Sequence, residues 1–362
     1  VCQHRGNPLV EESKGHVKRF VCKYHSWAFM PDGELNFAPD REDFPEGNPC
    51  GKVRLQELAC ETFAGFVWVN MDPDCMPLKQ FLGPIWEEWE AREVGTWTRT
   101  TANTMWLPCN WKVVLDNFNE SYHVPTVHMG ATTSTDRTKI SSNINTYFKE
   151  TRFDLSDEGH NRMIMEGGYG SGSTDKEGNI LEPLASQLRY WDLDPADFKG
   201  NPEATRGALQ EAKRKLGAER GFSHYDKVPD QQLTDAFHYT LFPNFAVSLW
   251  SDGFHFLRAR PHRSDPEQCL FDNWWYTSPA AIESGHEGGM GAGPKEVEVT
   301  LLDFAAGDSI GPAIEDDVRV FVTQQRGFRS RGFKGVYLAK QETRIRRYHE
   351  MVDDYIEGRL PR

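Results

Sequence analysis

Two short stretches at the start of the chain carry residues suited to metal binding. Cys2 and His4 are separated by one residue, Cys22 and His25 by two, and seventeen residues lie between the pairs. A mixed set of two thiolates and two imidazoles suits a tetrahedral zinc, or a [2Fe–2S] cluster whose second iron is held by two histidines. The spacing favours the cluster. A zinc finger usually draws its cysteines from one knuckle and its histidines from another, whereas here each loop supplies one of each. Cys2 and Cys22 would then hold one iron, and His4 and His25 the other.

A second group lies in residues 110–128, where an apolar stretch interrupted by acids and amides predicts a helix opening near Trp111. Glu120 and His123 are i, i+3 neighbours and share a helix face. His123 and His128 are five residues apart, about 140° around an ideal helix, so a regular helix would point them apart. Pro125 lies between them and kinks or ends the helix, which lets both imidazoles reach one metal. Two histidines need a third ligand to make the facial triad of a non-haem Fe(II) site with open positions. Residues 311–327 offer acids at 315, 316 and 317, although an acidic cluster opening a helix also serves as a cap and complements the helix dipole.

The residues around the first motif, Arg5-Gly6, Tyr24 and Ser26-Trp27, resemble those of Rieske proteins of the oxygenase type. Asn7, Lys23 and Tyr24 leave no additional cysteine in either loop for the disulfide found in respiratory Rieske proteins. The resemblance is therefore to centres near the roughly −150 mV end of the Rieske range. Taken in order, the three motifs resemble the catalytic α subunit of Rieske non-haem iron ring-hydroxylating oxygenases over essentially the whole chain. In that family the last iron ligand is an Asp followed eight residues later by Gln and often Arg-Gly. Counting back from Gln325-Arg326-Gly327 gives Asp317, with Asp316 as the alternative. The resemblance implies an α+β architecture: an all-β Rieske [2Fe–2S] domain over residues 1–75, closed by a strand and turn at 65–74, then a helix-grip, START-like antiparallel-sheet domain over 76–362 that holds mononuclear Fe(II). A start at Val1, one residue before a ligand, leads us to expect an incomplete Rieske domain.

The resemblance also implies a terminal oxygenase that uses O2 and electrons from NAD(P)H to insert one or two oxygen atoms into a small, aromatic substrate. O- or N-demethylation and quaternary-amine oxidation are the alternatives. Many members place Asp three residues before the first histidine ligand and Glu earlier. Here Asp116 is early and Glu120 holds the key place, as in some subgroups of the family, including oxygenases that act on quaternary amines. The resemblance assigns Glu120 the bridge between subunits of a homotrimer (α3, or α3β3 with a small subunit), bonding His123 and, across the interface, His25 or His4. An electron carrier whose second domain only binds a partner is the rival from another class; a zinc-stapled binding protein is a third reading.

Composition sets outer limits. Asp and Glu outnumber Lys and Arg by 54 to 41, a balance of −13 over 362 residues that argues against nucleic acid and anionic membranes as partners. No apolar run has the length of a membrane span, and five cysteines beyond Cys2 and Cys22, with no framework spacing, suit buried thiols in the cytoplasm. Nucleotide fingerprints are lacking, which implies a separate NAD(P)H-dependent reductase, with or without a ferredoxin. Alternation predicts strands at 239–250, 253–260 and 269–276, with a turn at Ser251-Asp252. Residues 166–235 form a polar insertion, with an exposed helix over 202–217, and loops are expected at 167–175 and 287–294. An apolar stripe over 341–358 predicts a packed C-terminal helix. His238, His255 and His262 are expected to be structural.

Overall fold

The computed structural model describes residues 1–128, 152–166, 174–182, 184–285 and 296–359. The loop expected at 287–294, and most of that at 167–175, lie outside the described residues. The chain divides into two compact units, Val1–Thr62 with Val67–Met76, and Phe63–Phe66 with Pro77–Arg362.

The first unit is built from strands among its described residues. A three-stranded antiparallel sheet joins β1 (Phe20–Val21), β2 (Ala28–Phe29) and β3 (Leu35–Phe37), while β4 (Ala59–Phe63) pairs with β5 (Phe66–Asn70). Its small core gathers Cys2, Cys22, Trp27, Phe29, Leu35 and Ala38. The strand expected at 65–74 is β5, although Gly65 and Phe66 at its start count with the second unit.

The second unit wraps an eight-stranded sheet over helices. Its strands are β6 (Thr98–Leu107), β7 (Arg152–Leu155), β8 (Asn161–Met165), β9 (Ala236–Leu241), β10 (Phe245–Leu249), β11 (Gly253–Pro261), β12 (Cys269–Thr277) and β13 (Thr300–Asp303). They run in the order 13-6-12-11-10-9-8-7, antiparallel except for the parallel pair of β13 with β6. The helices are α1 (Leu78–Leu82), α2 (Pro84–Ala91), α3 (Trp111–Phe118), α4 (Val124–Val127), α5 (Leu184–Tyr190), α6 (Ala204–Leu216), α7 (Pro279–Ser284), α8 (Pro312–Phe328) and α9 (Thr343–Ile356). The main core lies between sheet and helices. Val113, Val114 and Phe118 of α3, Ile314, Val318 and Phe321 of α8, and Tyr348 and Met351 of α9 meet Met105, Ala246, Leu257 and Phe271 of the sheet. The 314, 318, 321 spacing places one face of α8 in the core, and truncating a ring such as Phe321 there costs about 3–5 kcal/mol.

Three expectations need correction. Residues 239–250 form two strands, because Pro243 lacks an N–H for a ladder and the Phe242 N–H leaves the sheet to bond His160 Nδ1 at 3.0 Å. The turn at Ser251-Asp252 then separates β10 from β11. The helix within 202–217 is not simply exposed: Thr205, Leu209 and Lys213 are buried at i, i+4, i+8. Lys213 Nζ donates to Leu233 O at 2.6 Å and Ser251 Oγ at 2.9 Å, so a charged residue sits at a core position of this helix. In the C-terminal helix, Ile345, Tyr348 and Met351 are buried as the stripe requires, but Ile356 is 74% exposed and Arg344 is buried.

His160 ties the outer sheet to α1. Its Nε2–H donates to Phe81 O at 2.8 Å while Nδ1 accepts from Phe242 N, an arrangement that requires the neutral ring. Burial lowers its pKa from 6.5 to about 4. This contribution is therefore complete above pH 6.5 and is lost as pH falls towards 4, a loss of at most about 3 kcal/mol. Urea unfolding between pH 7 and 4.5 is expected to decline less steeply in His160→Gln than in the parent; equal slopes would show that His160 does not carry this titration.

Candidate metal centres

The two N-terminal loops share one backbone design. Cys2 N donates to Asn7 O and Gly6 N returns to Cys2 O, at 2.8 and 2.9 Å; Cys22 N donates to Trp27 O and Ser26 N to Cys22 O, at 2.8 and 3.0 Å. Each loop closes on a left-handed residue four positions after its cysteine, Gly6 with φ 77° and Ser26 with φ 57°. Glycine adopts that conformation without cost, and Ser26 is held there against its preference. The turns aim the N–H groups at positions i+2 and i+3 towards each sulfur: those of His4 and Arg5 at Cys2, and those of Tyr24 and His25 at Cys22. Burial raises the Cys2 thiol pKa. At Cys22 burial acts the same way, but the N–H donors and Asn7 outweigh it and hold the thiol down.

Both cysteines are buried, and the His4 and His25 rings lie 4.7 Å apart at 72°. Trp27 stacks on His4 at 4.7 Å. His4 Nδ1 is buried without a protein hydrogen bond, the condition of an imidazole nitrogen reserved for a metal. These donors fit a cluster ligated by two cysteines and two histidines.

The second group forms where α3 ends. Asn110 caps α3 through its side chain, which accepts from Lys112 N at 2.9 Å, and the helix stops at Phe118. The break therefore precedes Pro125, upstream of the kink expected from the sequence. Glu120 lies in the connecting turn, where its Oε2 accepts the His123 N–H at 3.0 Å. One turn of helix, α4, follows, with His123 at its N-cap, Pro125 in the first turn where no N–H is needed, and His128 at its C-cap. The two rings lie 5.5 Å apart at 67°.

Asp317 comes to this pair from α8. Its Oδ1 is 3.4 Å from His123 Nε2 and 3.1 Å from His128 Nε2, and donor atoms of the three residues all lie within 4.8 Å of one another. Asp316 turns away, half-exposed, towards Arg319. Asn117 Nδ2 donates to Asp317 Oδ1 at 3.3 Å. His123 Nδ1 lies on the other side of the ring and donates to Glu120 Oε1 at 2.5 Å.

The electrostatics favour a cation. Burial acts to raise the Asp317 carboxyl, but the hydrogen bonds from His123 and His128 outweigh it and hold the pKa at about 2. Burial acts to lower His123, yet Asp317 and Glu120 lift it to about 9. Two imidazoles and one desolvated carboxylate converging from separate elements suit a divalent iron with open coordination positions.

Gln325 shows how α8 is registered. Its Oε1 accepts the Asn110 N–H at 2.8 Å, and its Nε2 bonds Glu267 at 3.2 Å. Thus α8 runs antiparallel to α3, with Asp317 beside Asn117 at one end and Gln325 beside Asn110 at the other. The separation of eight residues on α8 matches seven on α3, about 12 and 11 Å of helix rise. Asp116 bonds His349 of α9 at 2.8 Å. Asn117 escaped the sequence reading; an amide on the apolar side of α3, among Val113, Val114 and Phe118, was the available signal.

Comparison with known proteins finds two matching families along the chain. Residues 93–358 match the ring hydroxylating alpha subunit (catalytic domain) family, and residues 1–56 match the Rieske [2Fe-2S] domain. The carnitine monooxygenase oxygenase subunit of Escherichia coli (strain K12) is 34% identical over 136 residues, 36% of this chain and 35% of the relative. The naphthalene 1,2-dioxygenase large oxygenase component of Pseudomonas fluorescens is 30% identical over 265 residues, 70% of this chain and 52% of the relative. The chain thus spans about a third to a half of the length of these curated relatives. Among solved structures, a quaternary ammonium Rieske monooxygenase in complex with an inhibitor superposes with a TM-score of 0.61 at 17% identity, covering 98% of this chain and 76% of that one. Naphthalene 1,2-dioxygenase with indole bound gives 0.58 at 21%, covering 98% and 77%. With a Rieske [2Fe–2S] domain ahead of a mononuclear-iron catalytic domain, the chain belongs to the ring-hydroxylating oxygenase alpha subunits.

Proposed function

We propose that the protein is the terminal oxygenase component of a multicomponent Rieske system, which hydroxylates a small organic substrate with O2 and electrons that originate from NAD(P)H. The observation that carries this reading is the convergence of His123, His128 and Asp317 in the catalytic unit, on a chain that also holds two Cys/His loops. A simple electron carrier has no use for the second set. Cys2, His4, Cys22 and His25 hold the [2Fe–2S] cluster, and His123, His128 and Asp317 hold Fe(II). Together these groups supply single electrons and a coordination site for activating O2 beside the substrate.

The chain's own residues set the conditions for that chemistry. Asn117 holds the Asp317 carboxylate in place by donating to Oδ1. Glu120 fixes the ring and tautomer of His123 by taking its Nδ1–H, which leaves Nε2 free for the metal. In a homotrimer, with or without a small β subunit, Glu120 also bonds a cluster histidine of the neighbouring subunit, His25 or His4, and so links the two centres. The electrons come from a separate reductase, with or without a ferredoxin, and a cytoplasmic setting is the reading that the free thiols and such a partner support. No helix among the described residues is long and apolar enough to cross a membrane. An aromatic compound is the first substrate class to test. Quaternary amines are the second, favoured by Glu120 at the third position before His123 and by the carnitine-oxidising relative.

Iron and sulfide analysis tests the reading. The intact protein is expected to hold three irons and two sulfides per chain. Asp317→Asn is expected to lose one iron and all turnover while keeping the visible spectrum of the cluster, and Asp316→Asn to keep all three. Two irons in the wild-type protein would leave only an electron carrier. Turnover with 18O2 and a reductase, across aromatic acids, hydrocarbons and methylamines, then identifies the substrate class by product mass. Glu120→Gln, with all three irons retained, is expected to slow turnover by about 100-fold or more; turnover at the wild-type rate would remove the bridge.

A further inference from the structure

We propose that Arg344 is a positioning residue of the iron centre, anchoring through Asn161 and Thr240 the turn that carries Glu120 and His123. This rests on the reading of His123, His128 and Asp317 as iron ligands. Arg344 opens α9 and is 1% exposed. Its Nε donates to Asn161 Oδ1 at 2.5 Å, and one terminal nitrogen donates to Thr240 Oγ1 at 3.2 Å and His238 O at 3.4 Å. Asn161 Nδ2 and Thr240 Oγ1 in turn both donate to Asn119 Oδ1, at 3.0 and 2.9 Å. Asn119 Nδ2 closes on Leu115 O at 2.9 Å. The donors of Arg344, Asn161 and Thr240 thus run in one direction, through Asn161 and Thr240 to Asn119, the fully buried residue that ends α3 and precedes Glu120. Hydrogen bonds arranged in one direction polarise and strengthen one another.

The charge has a direction as well. Among the described residues no carboxylate hydrogen-bonds Arg344, and its other terminal nitrogen, Nη1, is buried without a partner. Burial lowers its pKa to about 9, and the carboxylate acting against that is Glu120. An unpaired buried guanidinium is too costly to serve as packing alone. An apolar residue with the shape of Arg344 would fill the same space, but it would leave Asn161 and Thr240 without the donors that orient them. The C-terminal helix thereby takes part in the geometry of an iron site whose ligands lie on α4 and α8.

The test is anaerobic Fe(II) titration of full-length protein with an intact cluster and a stripped mononuclear site, followed through the d–d absorption of a parallel Co(II) series. Arg344→Met is expected to raise the Fe(II) dissociation constant about tenfold, the lower end for residues that orient metal ligands. Arg344→Lys, which keeps the charge, should stay within about threefold. Thr240→Val removes the relay hydroxyl without changing shape, so it tests the idea even if Arg344→Met does not fold, and should weaken binding several-fold. Met351→Ala, a buried core change on the same helix, controls for lost stability and should leave affinity intact. Wild-type affinity in both Arg344→Met and Thr240→Val would overturn the proposal, as would equal weakening by Met351→Ala. A wild-type protein that binds no Fe(II) beyond its cluster sinks the iron reading itself, and that outcome is separate from unchanged affinity in the variants.

Discussion

The buried carboxylate of Asp317 is the constraint around which the catalytic unit is arranged. An ionised carboxylate removed from water costs several kcal/mol unless opposite charge and hydrogen bonds replace its hydration. Asp317 obtains these from His123, His128 and the Asn117 amide. None of them is near it in sequence, so the site exists only when α3, α4 and α8 are packed. Without a cation between the rings the same cluster of charge raises His123 to about 9. A divalent ion therefore replaces protons rather than entering a neutral cavity, and its affinity is linked to pH through that exchange.

Packing supplies the alignment that this electrostatic balance requires. The pair of ties between α3 and α8, at Asn117 with Asp317 and at Asn110 with Gln325, fixes rotation and translation together. A slip of one residue along α8 would turn Asp317 by about 100° away from the histidines. Hydrophobic contacts of Val318 and Phe321 with the sheet hold the helices together but tolerate small shifts. The polar ties do not, because a buried N–H left unbonded is penalised in full. Apolar burial thus supplies most of the energy, and a few buried amides supply the register.

Candidate metal ligands were the most legible part of the sequence. Only a few residue types bind iron, and short spacings constrain geometry, so Cys2, His4, Cys22, His25, His123 and His128 could be selected before any fold was known. Asp317 needed the resemblance, because three consecutive acids are equivalent until the rotation of α8 is fixed. What could not be read were polar residues whose partners lie far along the chain. Lys213 in α6 looks like a solvated lysine until Leu233 and Ser251 are brought beneath it. Arg344 looks like surface charge at the start of a helix until β8 and β9 present Asn161 and Thr240. The break at Phe242-Pro243 was visible as a proline, but alternation on both sides concealed that one strand was two.

The two centres are held by different means, and this has consequences for how each fails. The cluster loops hold their sulfurs with backbone N–H groups within three residues of each cysteine, in turns closed by Gly6 and Ser26. Such a site depends on local backbone conformation, and changes in exposed side chains nearby, such as Gln3 or Lys23, leave its donors in place. The candidate iron site draws together side chains from residues 117 to 317, with Asn117 bonded to Asp317 and Glu120 to His123. Such a site depends on the packing of helices that are distant in sequence, and through the proposed relay it would also respond to substitutions on strands and on the last helix. A chain that folds imperfectly in its second unit would keep its colour and lose its catalytic iron, because colour reports a local structure and catalysis a global one.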